Sequence, residues 1–308
     1  MRIAVLIPCY NEEITIGKVV TDFKRELPEA DIYVYDNNSS DYTYKIAAEA
    51  GAIVTKEYRQ GKGNVVRSMF RNIDADYYVM VDGDDTYPAE FVHKLLRPII
   101  DKEADMVIGD RLSNGSYKCE NKRAFHNAGN NLVRYMINKL FKSNICDIMT
   151  GYRAFNREFV KSMPILSAGF EIETEMSIHA LDKKFLIKEL PIEYRDRPVG
   201  SFSKLNTFND GIKVLKTIFH LFKDYKPLIF FLTFSFILFI MGLLTGLPVI
   251  IEFVKTRYIS KVPSAILAVG FIVLSMLSLV GGLILDTVVN QNRRIYELYL
   301  NMLSDRAK

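Results

Sequence analysis

The chain has 308 residues, of which 49% are hydrophobic, and it carries a formal net charge of +4. Its length exceeds one average domain, and this hydrophobic fraction is high for a wholly soluble protein. The mild charge predicts no nucleic-acid partner, and the three widely spaced cysteines, Cys9, Cys119 and Cys146, argue against a disulfide framework or a zinc site. The first apolar run, residues 3–7, is too short for a signal peptide, so we expect the N-terminal domain to stay in the cytoplasm.

Strand and helix patterns alternate through the first 110 residues. The predicted strands are 3–7, 32–35, 52–55, 77–81 and 106–108, and the predicted helices are 16–27, 43–50, 65–73 and 91–100. This alternation predicts an α/β fold with a mostly parallel sheet covered by helices. Ligands bind at the carboxyl ends of the strands in such sheets. Because Glu12, Asp36 and Asp82 follow the first, second and fourth strands, we expect polar and acidic groups to gather at one edge.

The fourth strand ends abruptly in the acidic sequence Asp82-Gly83-Asp84-Asp85. An Asp-x-Asp pair after a buried strand places two carboxylates on the same side, where a divalent cation could bridge them to a phosphate. The alternative is a solvated turn in which Asp85 or Thr86 caps a helix that starts near Pro88.

Polar loops continue in the following part of the chain. A helix is predicted for 123–141, a polar loop for 147–153, a helix near 172–181 that opens with Glu171, Glu173 and Glu175, and a strand for 185–190. The segment 194–204 has the composition of a mobile basic loop, with two arginines, one lysine and two serines. It is interpreted either as an anion site or as a solvated linker.

The last third of the chain indicates a membrane. An amphipathic, lysine-bearing segment near 208–222 predicts an interfacial helix, with an ordinary core helix as the alternative. Two uncharged stretches, 228–251 and 262–285, are each long enough to span a bilayer. Two spans return the chain to the side of the membrane on which it starts. Basic residues occur in the connecting loop as well as at the outer ends, so the even number of spans is a stronger argument for the orientation than the distribution of charge. The predicted units are a cytoplasmic catalytic domain (1–205), an interfacial helix (206–227), two membrane helices (228–285) and a C-terminal amphipathic helix (286–308).

Several common phosphate and metal motifs are missing from the sequence. No G-x-G-x-x-G follows the first strand, and Gly61-Lys62-Gly63 lacks the rest of a P-loop. The four histidines, His93, His126, His179 and His220, have no metal-ligand spacing. What remains is a carboxylate-lined strand edge and a basic loop that precedes a membrane segment.

Five motifs, in this order and spacing, resemble glycosyltransferase family 2. They are 7–13 (IPCYNEE), 36–41 (DNNSSD), 82–84 (DGD), 109–111 (GDR) and 200–204 (GSFSK). Within that family the chain is similar to the dolichyl-phosphate mannose synthase group, which includes bacterial polyprenyl-phosphate glucosyltransferases with two membrane spans. The resemblance covers about residues 1 to 225. It implies a GT-A fold, a nucleotide-sugar donor and a Mg2+ or Mn2+ ion.

The resemblance also implies roles for individual residues. The nucleotide sugar would contact Pro8, Tyr10, Glu12, Asp36, Lys62 and Asp82. The metal ion would be held by Asp82 and Asp84, and the catalytic residues would be Asp84, Arg111 and Lys204. Positive charge is also needed for the acceptor phosphate, and the candidates for binding it are Arg123, Arg153, Arg197, Ser203 and Lys204. Of the basic candidates, Lys204 and Arg111 match family positions.

The sequence departs from the family pattern at two points. Mannose synthases often carry a glutamine as a further metal ligand where this chain has Thr86, with Asp85 before it, so the third protein ligand stays open. The chain has no tryptophan and therefore no Gln-x-x-Arg-Trp motif, which argues against a processive synthase.

The expected reaction is an inverting, metal-dependent transfer of a hexose to a polyprenyl phosphate, undecaprenyl or dolichyl, at the cytoplasmic face of the cell membrane. The acceptor phosphate is already anionic, so its attack needs no strong general base. UDP-glucose or UDP-N-acetylglucosamine is favoured as donor, and GDP-mannose is allowed. Self-association of the chain through its membrane spans is also allowed. One alternative is transfer to a lipid or sugar hydroxyl, for example of diacylglycerol, with a base among Glu171, Glu173 and Glu175; another is a non-catalytic membrane assembly subunit.

Overall fold

The chain divides into two compact units, Met1–Val214 and Leu215–Lys308. The computed structural model describes residues 1–113, 124–198, 219–220 and 222–306. The first unit holds a mixed sheet with helices, and the second holds two long apolar helices.

The sheet of the first unit has seven strands in the order β3-β2-β1-β4-β6-β5-β7. Their bounds are β1 (Ile3–Cys9), β2 (Asp31–Asp36), β3 (Ile53–Lys56), β4 (Tyr77–Met80), β5 (Met106–Asp110), β6 (Arg153–Asn156) and β7 (Ile187–Pro191). All pairs are parallel except those of β6, which runs antiparallel to β4 and β5. The predicted mostly parallel α/β sheet is therefore confirmed.

This unit also contains helices, several of which pack on the sheet through apolar faces. They are α1 (Ile16–Glu26), α2 (Thr43–Glu49), α3 (Lys62–Asn72), α4 (Val92–Ile100), α5 (Ala124–Phe141), α6 (Arg157–Ser162) and α7 (Ile172–Asp182). Every residue of β1 is buried, as expected for a strand that is covered on both faces. Val19, Val20 and Phe23 of α1 join the same core, at the spacing of one helical face.

Strand β6 and helix α6 are absent from the sequence-based prediction, which has a polar loop ending at Arg153. Residues 153–155 are buried, and Ala154 pairs with both Val79 of β4 and Val107 of β5. Asn156 then caps α6 through a hydrogen bond that its side chain accepts from the backbone N–H of Phe159 (2.8 Å). The strand is too short to show an alternating pattern, so tertiary pairing defines it.

The two long helices in the described part of the second unit are α8 (Pro227–Thr256) and α9 (Val262–Arg306). Both are long and apolar enough to cross a membrane. They pack closely at small residues: Ser235 and Ser275 each donate to the other's backbone carbonyl, at 2.8 and 2.9 Å. Gly242 lies so close to Ile272 that a Cβ would be 2.8 Å from its Cδ1.

The C-terminal boundary of this unit differs from the prediction. The separate C-terminal helix predicted for 286–308 is the continuation of α9, because neither glycine nor proline interrupts the sequence after residue 285. Of the predicted interfacial helix at 206–227, only 219–220 and 222–227 lie in the described part, so most of that prediction falls outside it.

Candidate active site

The Asp82-Gly83-Asp84 turn follows β4 at the switch point of the sheet. Strand β1 pairs with β2 on one side and with β4 on the other, and ligands of open α/β sheets bind where the strand order reverses in this way. Thr15 Oγ1 donates a hydrogen bond to the Gly83 carbonyl (2.7 Å). A Cβ on Gly83 would lie 2.5 Å from Cys9 Sγ. The neighbouring strand and helix therefore fix the position of the turn, and only glycine fits its centre.

Asp84 is a buried carboxylate, 5% exposed, that lies next to a cation. Its Oδ1 accepts hydrogen bonds from the hydroxyl (2.6 Å) and the backbone N–H (3.2 Å) of Thr86. Its Oδ2 lies 2.5 Å from Nη2 of Arg197, whose Nη1 is 3.8 Å from Glu12 Oε1. Burial and the nearby charge of Asp82 raise the pKa of Asp84, while Arg197 and Thr86 oppose that rise. The site thus favours positive charge beside Asp84.

Asp85 points away from this carboxylate pair. Its backbone is in the left-handed region (φ 60°), and its side chain forms an ion pair with Lys18 (2.7 Å). The short 3-10 turn Ala89–Phe91 has Pro88 at its N-cap and no side-chain capping bond. The capping role considered for Asp85 or Thr86 is therefore wrong, because Asp85 pairs with α1 and Thr86 orients Asp84.

A buried lysine connects the turn to α7. Lys62 forms ion pairs with Asp82 Oδ1 and with Glu173 Oε1, the latter at 2.5 Å, and the Lys62 and Glu173 side chains are 8% and 6% exposed. Burial disfavours the charge of Lys62, but the two carboxylates outweigh burial and raise its pKa. Burial likewise raises the pKa of Glu173, against the opposing effect of Lys62. We call this arrangement the Asp82–Lys62–Glu173 ion chain.

Backbone contacts fix the start of α3, which carries Lys62. Gly61 has φ 122°, a conformation that favours glycine, and the N–H of Gly63 donates to the Ala168 carbonyl (3.0 Å) just before α7. The sequence-based prediction began this helix at residue 65 and considered Glu173 only as a base. Since 111 residues separate Lys62 from Glu173, no local pattern could pair them.

The residues predicted for the nucleotide lie at the ends of β1 and β2. Pro8 lies within β1, and Tyr10, 38% exposed, directly follows this strand. Asp36 ends β2 in register with Cys9, and its carboxylate accepts from the N–H of Ser39 (3.3 Å). The structure therefore brings these residues to adjacent strand ends on the β2 side of the Asp82-Gly83-Asp84 turn, and their contact with a nucleotide stays a prediction.

Arg111 follows β5 and is held by Asp147. Its Nε and Nη2 donate to the two oxygens of Asp147, at 2.7 and 2.9 Å, in a buried bidentate ion pair. The guanidinium carbon also lies 5.4 Å from the centre of the Tyr194 ring. Arg111 therefore joins the loop after β5, the 147–152 segment and the segment after β7, and its predicted catalytic role is untested.

Arg153 lies in the interior, contrary to the prediction that it binds the acceptor phosphate. Its side chain is fully buried and donates to the carbonyls of Thr150 (3.1 Å) and Ile148 (2.5 Å) and to Ser177 Oγ (2.9 Å). Burial lowers its pKa to about 10. Because its donors already bind interior oxygens, we correct its assignment to a structural role. The other acceptor candidates, Arg123, Ser203 and Lys204, lie outside the described residues.

The two carboxylates of the turn fit a divalent cation. In residues 1–113, 124–198 and the described part of the second unit, no group of three or more His, Cys, Asp or Glu side chains is arranged to hold a metal ion. Mg2+ in enzymes is often bound by one or two carboxylates together with substrate phosphates. Asp82 and Asp84 provide such oxygens, and the guanidinium beside Asp84 marks a place where positive charge is stabilised. Thr86 directs its hydroxyl to Asp84 and is not arranged as a further ligand.

Comparison with known proteins gives one matching family model and, among others, two similar relatives. The family model described as Glycosyl transferase family 2 matches residues 4–163. Glycosyltransferase AglJ of Haloferax volcanii is 33% identical over 301 residues, which are 96% of this chain and 98% of that protein. The dolichyl-phosphate hexose transferase of the same organism is 32% identical over 216 residues, or 70% of this chain and 92% of that protein.

Solved structures share the fold of the first unit. Glucosyl-3-phosphoglycerate synthase of Mycobacterium tuberculosis, in complex with Mn2+, uridine diphosphate and phosphoglyceric acid, superposes with a TM-score of 0.55. The two chains are 22% identical, and the match covers 70% of this chain and 78% of that one. At this identity the similarity concerns the fold alone, and it confirms the predicted GT-A class.

Proposed function

Because this chain belongs to glycosyltransferase family 2, we propose that it transfers a hexose from a nucleotide sugar to a polyprenyl phosphate. The observation that carries the proposal is the pair of carboxylates at the switch point, Asp82 and Asp84. The buried Asp84 is in contact with the guanidinium of Arg197. A metal ion that accompanies a diphosphate requires carboxylate oxygens of this kind. The expected donors are UDP-glucose or UDP-N-acetylglucosamine, followed by GDP-mannose.

Two features support a lipid phosphate as the acceptor. The relative that matches 70% of this chain is named a dolichyl-phosphate hexose transferase. This chain also has two helices that are long and apolar enough to cross the bilayer in which such an acceptor lies. Both features favour an acceptor of the polyprenyl phosphate class.

The glutamates at the start of α7 favour an acceptor that is already charged. Glu173 is engaged by Lys62. Glu175 accepts hydrogen bonds from the backbone N–H groups of Leu166 (2.9 Å) and Ser167 (3.0 Å). A hydroxyl acceptor would need one of the glutamates as a general base. Since two of the three candidates have structural partners, transfer to an anionic phosphate oxygen agrees better with this site.

The reaction forms one bond and breaks one. An oxygen of the acceptor phosphate attacks the anomeric carbon, and the bond from that carbon to the donor diphosphate breaks, so the nucleoside diphosphate leaves with the electron pair and the configuration inverts. Asp82 and Asp84 would hold a divalent ion, which would supply positive charge to the leaving diphosphate. The ion pair with Lys62 keeps Asp82 in place, and the hydrogen bond from Thr86 keeps Asp84 oriented. No proton has to be removed from the acceptor.

A transfer assay with two matched variants tests this proposal. The purified full chain is given undecaprenyl phosphate, Mn2+ and each of the three labelled donors, and we expect a lipid-linked sugar from one of them. Asp84→Asn removes the buried carboxylate charge and should abolish transfer. Asp85→Asn removes the same charge one residue later, where the partner is Lys18, and should retain most of the activity. Failure of every donor, or equal activity of both variants, would contradict the proposal.

The first unit is proposed to lie on the cytoplasmic side of a membrane that α8 and α9 cross. An even number of spans places both ends of the chain on one side. Cys146 is exposed, whereas Cys9 is buried. In a Cys119→Ser variant, a membrane-impermeant maleimide should therefore label Cys146 only after the cells are permeabilised. Labelling of intact cells would place this unit outside.

A further inference from the structure

Arg197 lies where positive charge is needed in the candidate active site. Its guanidinium is 2.5 Å from Asp84 Oδ2 and 3.8 Å from Glu12 Oε1, and its side chain is 28% exposed. Asp84 itself is 5% exposed and is close enough to Asp82 to be influenced by its charge. A buried carboxylate without a cation would be strongly disfavoured, so this contact stabilises the negative charge of Asp84.

The segment that carries Arg197 is attached to the sheet just before it. The N–H of Ile192 donates to the Asp110 carbonyl (3.0 Å), which continues the pairing of β5 with β7. The N–H of Arg195 donates to the Thr86 carbonyl (2.9 Å), next to the acidic turn. Arg197 therefore lies two residues after Arg195, whose backbone is hydrogen-bonded to Thr86. A rotation of the long Arg197 side chain can break the contact with Asp84 while the backbone stays beside the site.

A divalent ion bound by Asp84 would compete with the guanidinium of Arg197 for the same carboxylate. Nη2 of Arg197 already lies against Asp84 Oδ2, and two like charges at contact distance repel each other. We propose that Arg197 is a built-in counter-cation that occupies Asp84 in the donor-free protein and is exchanged for the divalent ion that accompanies the nucleotide sugar. This inference rests on the metal and diphosphate site of the proposed function.

The exchange has a consequence for the order of binding. When the ion takes the place beside Asp84, the guanidinium is released within side-chain reach of the turn, where a second anionic group enters during the reaction. Arg197 is then available for the acceptor phosphate, the role predicted from the sequence, only after the donor has bound. Arg197 therefore acts as a positioning residue for both steps.

Binding of Mn2+ alone tests the exchange without measuring activity. The free ion is quantified by electron paramagnetic resonance in solutions of the detergent-purified full chain, without nucleotide. Arg197→Met should bind Mn2+ about tenfold more tightly than wild type, the factor expected for loss of one charged hydrogen bond that competes with the ion. Arg195→Met is the matched control, because it removes the same charge two residues earlier, where the partner is Glu90 (3.2 Å).

The outcomes separate this inference from the proposed function. Tighter binding by Arg197→Met than by Arg195→Met, abolished when Asp84→Asn is added, supports the exchange. Equal binding by the two arginine variants, with a dependence on Asp84, overturns the counter-cation and leaves the metal site in place. Binding of Mn2+ that does not depend on Asp84 in any variant overturns both. Should Arg197→Met fail to fold, Arg197→Gln removes the same charge while keeping a polar side chain, and it should also bind Mn2+ more tightly than wild type.

Discussion

Replacing Lys62 with methionine tests the Asp82–Lys62–Glu173 ion chain. Methionine preserves much of the volume of the side chain but leaves Glu173, 4% exposed, without its cation. Breaking a buried ion pair by removing one partner costs about 3–5 kcal/mol. The Asp82 side chain is 27% exposed and can be hydrated, so we expect about 3 kcal/mol, the lower end. For a domain of this size that corresponds to a melting temperature about 6–12 °C below wild type.

The pH dependence identifies Glu173 as the cause. Burial already raises the pKa of Glu173, and loss of Lys62 raises it further. A raised pKa in the folded state gives stability at low pH that is lost as the pH rises, so the deficit of Lys62→Met should be larger at pH 8 than at pH 5. Melting is followed by circular dichroism of the detergent-purified chain.

Two further variants make the Lys62 experiment decisive. Adding Glu173→Gln to Lys62→Met removes the unpaired charge and should restore part of the melting temperature at pH 8. Lys188→Met breaks an ion pair with Glu103 whose side chains are 43% and 53% exposed, and it should cost less than about 1 kcal/mol. If Lys62→Met melts like Lys188→Met, or if Glu173→Gln restores nothing, the ion chain does not stabilise the fold as described.

Three other substitutions probe the site and its support. In Gly151→Ala the new Cβ would overlap the Asp82 carboxylate, so kcat/KM for the donor should fall about tenfold or more, and unchanged donor kinetics would contradict the placement of Asp82. Arg153→Met should lower the melting temperature with no specific rise in the acceptor KM, and the reverse pattern would return Arg153 to the acceptor site. Burial lowers the pKa of His179 from 6.5 to about 4, so about 3 kcal/mol of stability present above pH 6.5 should be lost as the pH falls towards 4. His179→Leu should flatten that acid-side loss in melting experiments, and equal slopes for both proteins would refute it.

The sequence was sufficient to predict the parts of the fold whose patterns are local. Strands β1 to β5 and the helices between them follow from apolar runs, helical spacing and turn residues. The end of β4 then placed Asp82 and Asp84 at the edge where their carboxylates meet. Strand β6 was not predictable in this way, because Arg153 to Asn156 become a strand only through pairing with β4 and β5.

The partners of the site residues depend on contacts between distant segments. Lys62 meets Glu173 only after α3 and α7 have packed at the same strand end. Arg153 is a charged residue after a glycine and a tyrosine, a pattern that favours an exposed loop. Its burial requires the carbonyls of Ile148 and Thr150 to turn inward, and no residue type signals that.

The central place of β6 also determines when the first unit can complete its sheet during synthesis. Strands β1 to β4 can pair as soon as they have emerged, but β5 pairs with β6 and β7, so it reaches β4 only through β6. Until residue 156 has left the ribosome, the edge of β4 is open, and the unpaired backbone N–H and C=O groups at Tyr78, Val79 and Met80 can pair with other chains. We therefore expect fragments that end before Arg153 to aggregate, even though they contain the complete Asp82-Gly83-Asp84 turn.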